Sequence, residues 1–180
     1  MLIKILIVLA VVVVGIIILS RFQANTYSVE RTGIIAAPPS VVYAQIIDFH
    51  NWVKFDPCIE QDSNTAFTYQ GPANGVGAMY TWESKTIGTG NMTIAEVTPN
   101  EEVKMDQHTL KPWDSKSKTA FKMAPHGNGT KLTWSMTGEH NFMSKVMCVF
   151  TSMAKMIGGQ YERGLERMNK AFAGLSVEKP

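Results

Sequence analysis

The residues able to do acid–base, nucleophilic or metal chemistry are few and scattered. Four histidines, His50, His108, His126 and His140, are spread along the chain. No pair has the i, i+4 spacing that sets two imidazoles on one helix face, and neither H-E-x-x-H nor C-x-x-C occurs. Glu139 and His140 are adjacent, so on a strand their side chains point to opposite faces. No metal site and no cofactor is expected. His126 falls in a turn and should be solvated. His108 shares strand parity with Asp106 and Leu110; an exposed position is the expectation and a polar cavity position the alternative. No G-x-S-x-G is present. Cys148 lies in an apolar stretch and reads as a structural thiol, while Cys58 follows Asp56-Pro57 in a loop. Two cysteines are too few for a disulfide scaffold, and whether they pair is open. Glu83 and Asp106 are strand acids. Facing a cavity, either would be a general-base candidate; exposure is the commoner case. No catalytic residue is assigned.

Aromatic and sulfur-bearing side chains are concentrated instead, among them eleven methionines. Tyr80 and Trp82, Met92, Met105, Met123, and Trp134 and Met136 alternate with polar neighbours. Such a surface is either plain core or the wall of an apolar pocket, where indole N–H and phenol O–H supply the polar contacts. Tyr80, Trp82, Trp134 and Met136 are the strand candidates for ligand contact, and Ile157 and Tyr161 the helix candidates.

These residues need a scaffold, and the apolar spacing supplies one. Ser28 to Ile35 reads as a strand, Pro39 to Ile47 as a short helix with Pro in its first turn, and Asp48 to Phe55 as a second short helix or tight turn. From Thr65 to Glu139 the period is two, in about six segments separated by turn residues, which is an antiparallel meander. Gly71–Gly75 and His126–Gly129 are among the turns. From Phe142 to Leu175 the spacing becomes three and four: Val146, Phe150, Met153, Ile157, Tyr161, Leu165, Met168, Phe172 and Leu175 form one stripe. The expectation is a single helix of about 45 Å, gripped by a curved sheet. Gly158-Gly159 within it costs roughly 1 kcal/mol per glycine and marks a kink or a close approach.

Residues 1–24 are set apart. Ile5 to Leu19 is an unbroken apolar run, extended by Leu2, Ile3 and Phe22, with Lys4 placed to snorkel. Residues 2–22 are long enough to cross a bilayer, and no A-x-A-like cleavage site follows the run. The expected arrangement is a single-pass anchor, 1–24, with a domain, 25–180, on the extracytoplasmic side, periplasmic in a bacterium. The orientation follows from the slight positive excess before the span. Of 17 basic residues, Lys4 and Arg21 belong to this segment and the rest balance the 15 acidic ones. A neutral domain without a Lys/Arg run lacks the footprint of a nucleic-acid binder. Oligomeric state is not readable.

Five short passages carry a family resemblance. Ile35-Ala36-Ala37-Pro38, with Val42-Tyr43, resembles the opening of START-like (SRPBCC) proteins. Asp48, Trp52, Phe55 and Pro57 are similar to that family's D-x-x-x-W-x-x-W-x-P, with Phe55 in place of a common Trp. Gly75-Val76-Gly77, Gly129-Thr130-Lys131-Leu132-Thr133-Trp134 and Gly164-Leu165-Glu166-Arg167-Met168 follow in the family's order. The resemblance, over about residues 28–175, is to the bacterial polyketide cyclase/dehydratase-like branch. It implies an α+β helix-grip fold: about seven antiparallel strands around a C-terminal helix, with an apolar cavity between. The implied function is non-covalent binding of a hydrophobic small molecule or lipid. A polyketide cyclase or dehydratase activity is the alternative, and a protein-interaction module with a filled cavity a further one.

Overall fold

The computed structural model describes residues 1–57, 61–62, 64–173 and 175 of the chain. It begins with α1, Leu2–Arg21. Strand β1, Thr26–Ile35, is followed by α2, Pro39–Ile46, and a 3₁₀ helix, Phe49–Lys54. Six strands come next: β2 Ala66–Gln70, β3 Met79–Ser84, β4 Gly88–Thr98, β5 Glu102–Lys111, β6 Ser115–His126 and β7 Gly129–Glu139. Two helices close the chain, α3 Phe142–Cys148 and α4 Met153–Phe172.

The seven strands form one antiparallel sheet in the order β1-β7-β6-β5-β4-β3-β2. The meander β2–β7 needs only short turns, and β1 joins it beside β7. One face of the sheet is apolar and buried, as period-two alternation requires: Tyr80, Trp82, Met92, Ile94, Val103, Met105, Phe121, Met123, Leu132, Trp134 and Met136 all point inward. Residues of the opposite parity, Asp106 and Glu83 among them, face solvent.

The connection between β1 and β2 plugs one end of this surface. Pro39 opens α2, where its missing N–H costs nothing. The Asp48 carboxylate caps the 3₁₀ helix by accepting from the His50 N–H at 2.9 Å. Its Trp52 donates Nε1–H to the Ile46 carbonyl at 3.0 Å and packs against Phe49, Phe55, Tyr80 and Phe121. A buried indole with its donor satisfied gains apolar burial without a polar penalty.

The C-terminal segment departs from a single helix over Phe142–Leu175. Asn141 caps α3 and Ser152 caps α4, their side chains accepting from Ser144 N–H at 2.8 Å and Lys155 N–H at 3.3 Å. Val149 to Thr151 form the corner between them. The apolar stripe runs through the break because both helices are apolar there, so periodicity could not reveal it. In α4, Tyr161, Leu165, Met168 and Phe172 are buried against the sheet. Phe150 and Leu175, both members of the expected stripe, are exposed.

Candidate ligand-binding cavity

α4 lies along β1, held there by a side chain from the strand. Arg31, opposite Trp134 in the register, points inward. Its Nε donates to Glu162 Oε1 at 2.5 Å and its Nη2 to the Ala154 carbonyl at 3.1 Å. Gly158 is where that guanidinium crosses the helix; a Cβ there would overlap Arg31 Nη2. Within the Gly158-Gly159 pair it is Gly158 that admits a strand side chain, one of the roles its sequence suggested. Gly164 similarly receives the Trp134 indole, whose Cζ3 would lie 2.5 Å from an added Cβ.

α2 and the 3₁₀ helix fill one end of the sheet, and a cavity of about 290 Å³ remains at the other. Two adjacent cross-strand rows of the inner face form its wall. In the first, Tyr27, Gly138, Ser117, Gln107, Met92 and Tyr80 are successive partners from β1 to β3. In the second, Ser115, Thr109, Gly90, Trp82 and Phe67 are partners from β6 to β2. Gly90 is obligatory in that row, since a Cβ would run into the Trp82 ring and the His108 carbonyl. Met153, Ile157, Gln160 and Tyr161 of α4 cover the wall, and Trp52, Asp56 and Pro57 form the floor.

All six residues singled out from sequence, Tyr80, Trp82, Trp134, Met136, Ile157 and Tyr161, line this one cavity. Trp134 and Tyr161 stack with centroids 4.1 Å apart, so sheet and helix meet through aromatic faces. The polar part of the wall was not singled out in sequence: Gln107, Thr109, Ser115, Ser117, Thr119, Gln160 and the buried carboxyl group of Asp56. Strand parity could have placed Gln107 and Ser117 inward. Nothing local could have aimed Asp56, which lies just past the 3₁₀ helix.

Burial of Tyr27 raises its phenol pKa, partly offset by a hydrogen bond with Ser117. At neutral pH it is a hydrogen-bonding group of the wall, not a base. Trp134 Nε1–H and the Thr119 hydroxyl are buried with no hydrogen-bond partner among the described residues. An unmade bond of this kind costs about 1–3 kcal/mol.

The histidines do not converge. His50 stacks on Tyr69 and meets Asp48. His108 is on the outer face with Asp114. His140 packs on the Tyr27 ring and meets Ser144 Oγ at 3.0 Å. No cluster of His, Cys, Asp and Glu suited to a metal occurs among the described residues. Cys148 is half-buried on α3; Cys58, and with it any pairing of the two, lies outside the described residues.

A curved seven-stranded antiparallel sheet closed over a C-terminal helix, with a cavity between them, defines a START-like helix-grip protein. The chain belongs to the polyketide cyclase/dehydrase and lipid transport family, whose sequence profile matches residues 26–173. No curated protein sequence matches it. Among solved structures, a protein from Chromobacterium violaceum superposes with a TM-score of 0.61 at 15% identity, covering 85% of this chain and 100% of the other. The Aha1 dimer from Colwellia psychrerythraea gives 0.59 at 15% identity, with coverages of 82% and 97%. DynU16, from the dynemicin biosynthetic locus, gives 0.58 at 10% identity, with coverages of 82% and 47%. At these identities the likeness is one of fold.

Proposed function

We propose that residues 25–180 form a domain that binds a hydrophobic small molecule or lipid non-covalently, and that residues 1–24 anchor it to a membrane. The observation that carries the reading is the cavity. Its volume of about 290 Å³ lies at the lower end of the range for small-molecule sites, roughly 300–1,000 Å³. Its wall is aromatic and sulfur-rich, with a few hydroxyl and amide groups, so apolar burial at about 25 cal/mol per Å² would drive binding. A ligand oxygen near Trp134 and Thr119 would relieve their unmade hydrogen bonds. An open volume also counts against a protein-interaction module with a filled interior.

The anchor reading is supported by α1, a 20-residue helix containing an 18-residue stretch of mean hydropathy 3.4. At 1.5 Å per residue it is about 30 Å long, matching the hydrocarbon core. The slight positive excess before the span, from Lys4 and the amino terminus against Arg21 after it, supports an extracytoplasmic domain.

Native mass spectrometry with lipid extraction on full-length protein from its own membranes tests the cavity. A co-purifying apolar molecule at near-stoichiometric amount is expected. An empty protein that also fails to bind an apolar fluorescent probe would overturn the reading. Resistance of the full chain to alkaline extraction tests the anchor.

Asp56 supports a second reading, a cyclase or dehydratase. It is the one carboxyl group among the described residues lining the cavity, and proton transfer at a polyketide carbonyl needs such a group within reach. Turnover of a poly-β-keto thioester, abolished in Asp56→Asn, would favour it.

A further inference from the structure

α3 is an unusual surface helix. Five of its seven residues are apolar, Phe142, Met143, Val146, Met147 and Cys148, yet none is buried. Phe142 is 58% exposed, and Phe150 in the following corner is 72% exposed. An apolar patch of this kind on a folded domain marks an interaction surface. Its neighbour indicates the occupant. α3 packs against α1, the helix apolar and long enough to cross a membrane. α1 is exposed along most of its length, partly covered at Gly15 and Ile16 and buried at Ser20, near its end. Gly15 precedes Ser20 by five residues, about 7 Å along the axis, which matches the roughly 5–10 Å to which in-plane helices sink into a bilayer surface. Phe22, just past α1, is also exposed, and Arg21 and Lys145 are basic groups at the same level. Lys145 is tied to the tether through Asn25 Oδ1 at 2.6 Å.

The residues flanking α3 meet the cavity wall. Asn141, its cap, donates Nδ2–H to the Asp114 carbonyl at 3.2 Å, next to the cavity residue Ser115. His140, just before α3, packs on Tyr27, another cavity residue. Met153, directly after the corner, lines the cavity as well.

We infer that α3 and its Phe150 corner lie in the surface of the same bilayer that holds α1. They form an apolar lip that sets the cavity mouth against the lipid, so that a ligand passes between bilayer and cavity without crossing water. The inference rests on the anchor reading of α1.

The test uses the full chain in phosphatidylcholine/phosphatidylglycerol nanodiscs, in a Cys58→Ser, Cys148→Ala background. An environment-sensitive fluorophore is attached at Phe150→Cys, or separately at Val11→Cys. At Phe150 the expected result is blue-shifted emission, quenching by lipids spin-labelled high on the acyl chain, and protection from iodide. At Val11 quenching should come from deep-labelled lipids. A water-like, iodide-quenched signal at Phe150 with Val11 deep overturns this inference and leaves the anchor standing. A water-like signal at both overturns both. As a second readout, Phe142→Ser with Phe150→Ser should remove most of the shallow-lipid quenching of a fluorophore at Met147→Cys; unchanged quenching would also overturn the lip.

Discussion

Gly164 and Gly159 sit five residues apart on one helix and meet opposite surroundings. An alanine at 164 would put its Cβ 2.5 Å from Trp134 Cζ3, whose ring is fixed between Phe121 and Tyr161. Overpacking of this kind costs about 1–3 kcal/mol. At 159 the nearest atom is Arg163 Nη1 at 3.8 Å, so alanine gains about 0.4–1 kcal/mol through helix propensity. Urea unfolding of Gly164→Ala and Gly159→Ala should move the midpoint in opposite directions, and only the first should alter the near-ultraviolet signal of the aromatic stack. His140 gives a pH signature at the same scale. Burial, and then the charge of Lys145, hold its pKa below 6.5. The unfolded chain therefore takes up the proton first. The stabilising contribution is complete above about pH 6.5 and is lost as pH falls through the folded-state pKa. Stability measured against pH should show this decline in the wild type, and His140→Gln should flatten it.

At the scale of the element, α3 and α4 each begin at a side-chain cap, and Ser152 sits at the corner between them. Ser152→Ala removes the acceptor for Lys155 N–H and should cost about 0.5–2 kcal/mol, read as a lower thermal midpoint. Asn141→Ala should cost more than Ser152→Ala, because the same side chain also donates to the Asp114 carbonyl. If α3 and α4 were one continuous helix, Asn141 would still cap its start, but Ser152 would cap nothing and Ser152→Ala would be close to neutral. The sequence contains the Ser152 signal, but an uninterrupted apolar stripe outweighs one serine when periodicity is the guide.

At the scale of the molecule, the cavity is what remains when α2 and the 3₁₀ helix fill one end of a curved sheet and α4 covers its middle. A larger side chain at its edge should close it. Ile157, half-buried on α4, faces the volume. Ile157→Trp should abolish binding of an apolar fluorescent probe while leaving the unfolding midpoint nearly unchanged, since the new ring enters open space. Undiminished probe binding would mean that the probe sits elsewhere, such as the open polar groove along the strand ends beyond Tyr27 and Ser115.

Period two and period three-to-four in the apolar residues, and the membrane-length run at the N-terminus, were enough to give the element types, the antiparallel meander and the helix laid against it. Alternation fixes which face a residue takes, so Tyr80, Trp82, Trp134 and Met136 were readable as inward. It does not fix which cross-strand row a residue joins. That depends on turn lengths and on the register shifts between β4 and β5 at Thr89/Gly90 and Ile94/Glu96, which bring Met92 level with Gln107 and Gly90 level with Thr109. The indole over Gly164, the guanidinium over Gly158 and the seat of α3 on α1 join residues 30 to more than 100 positions apart. Only the folded chain brings them together, because local spacing carries no information about contacts between distant segments.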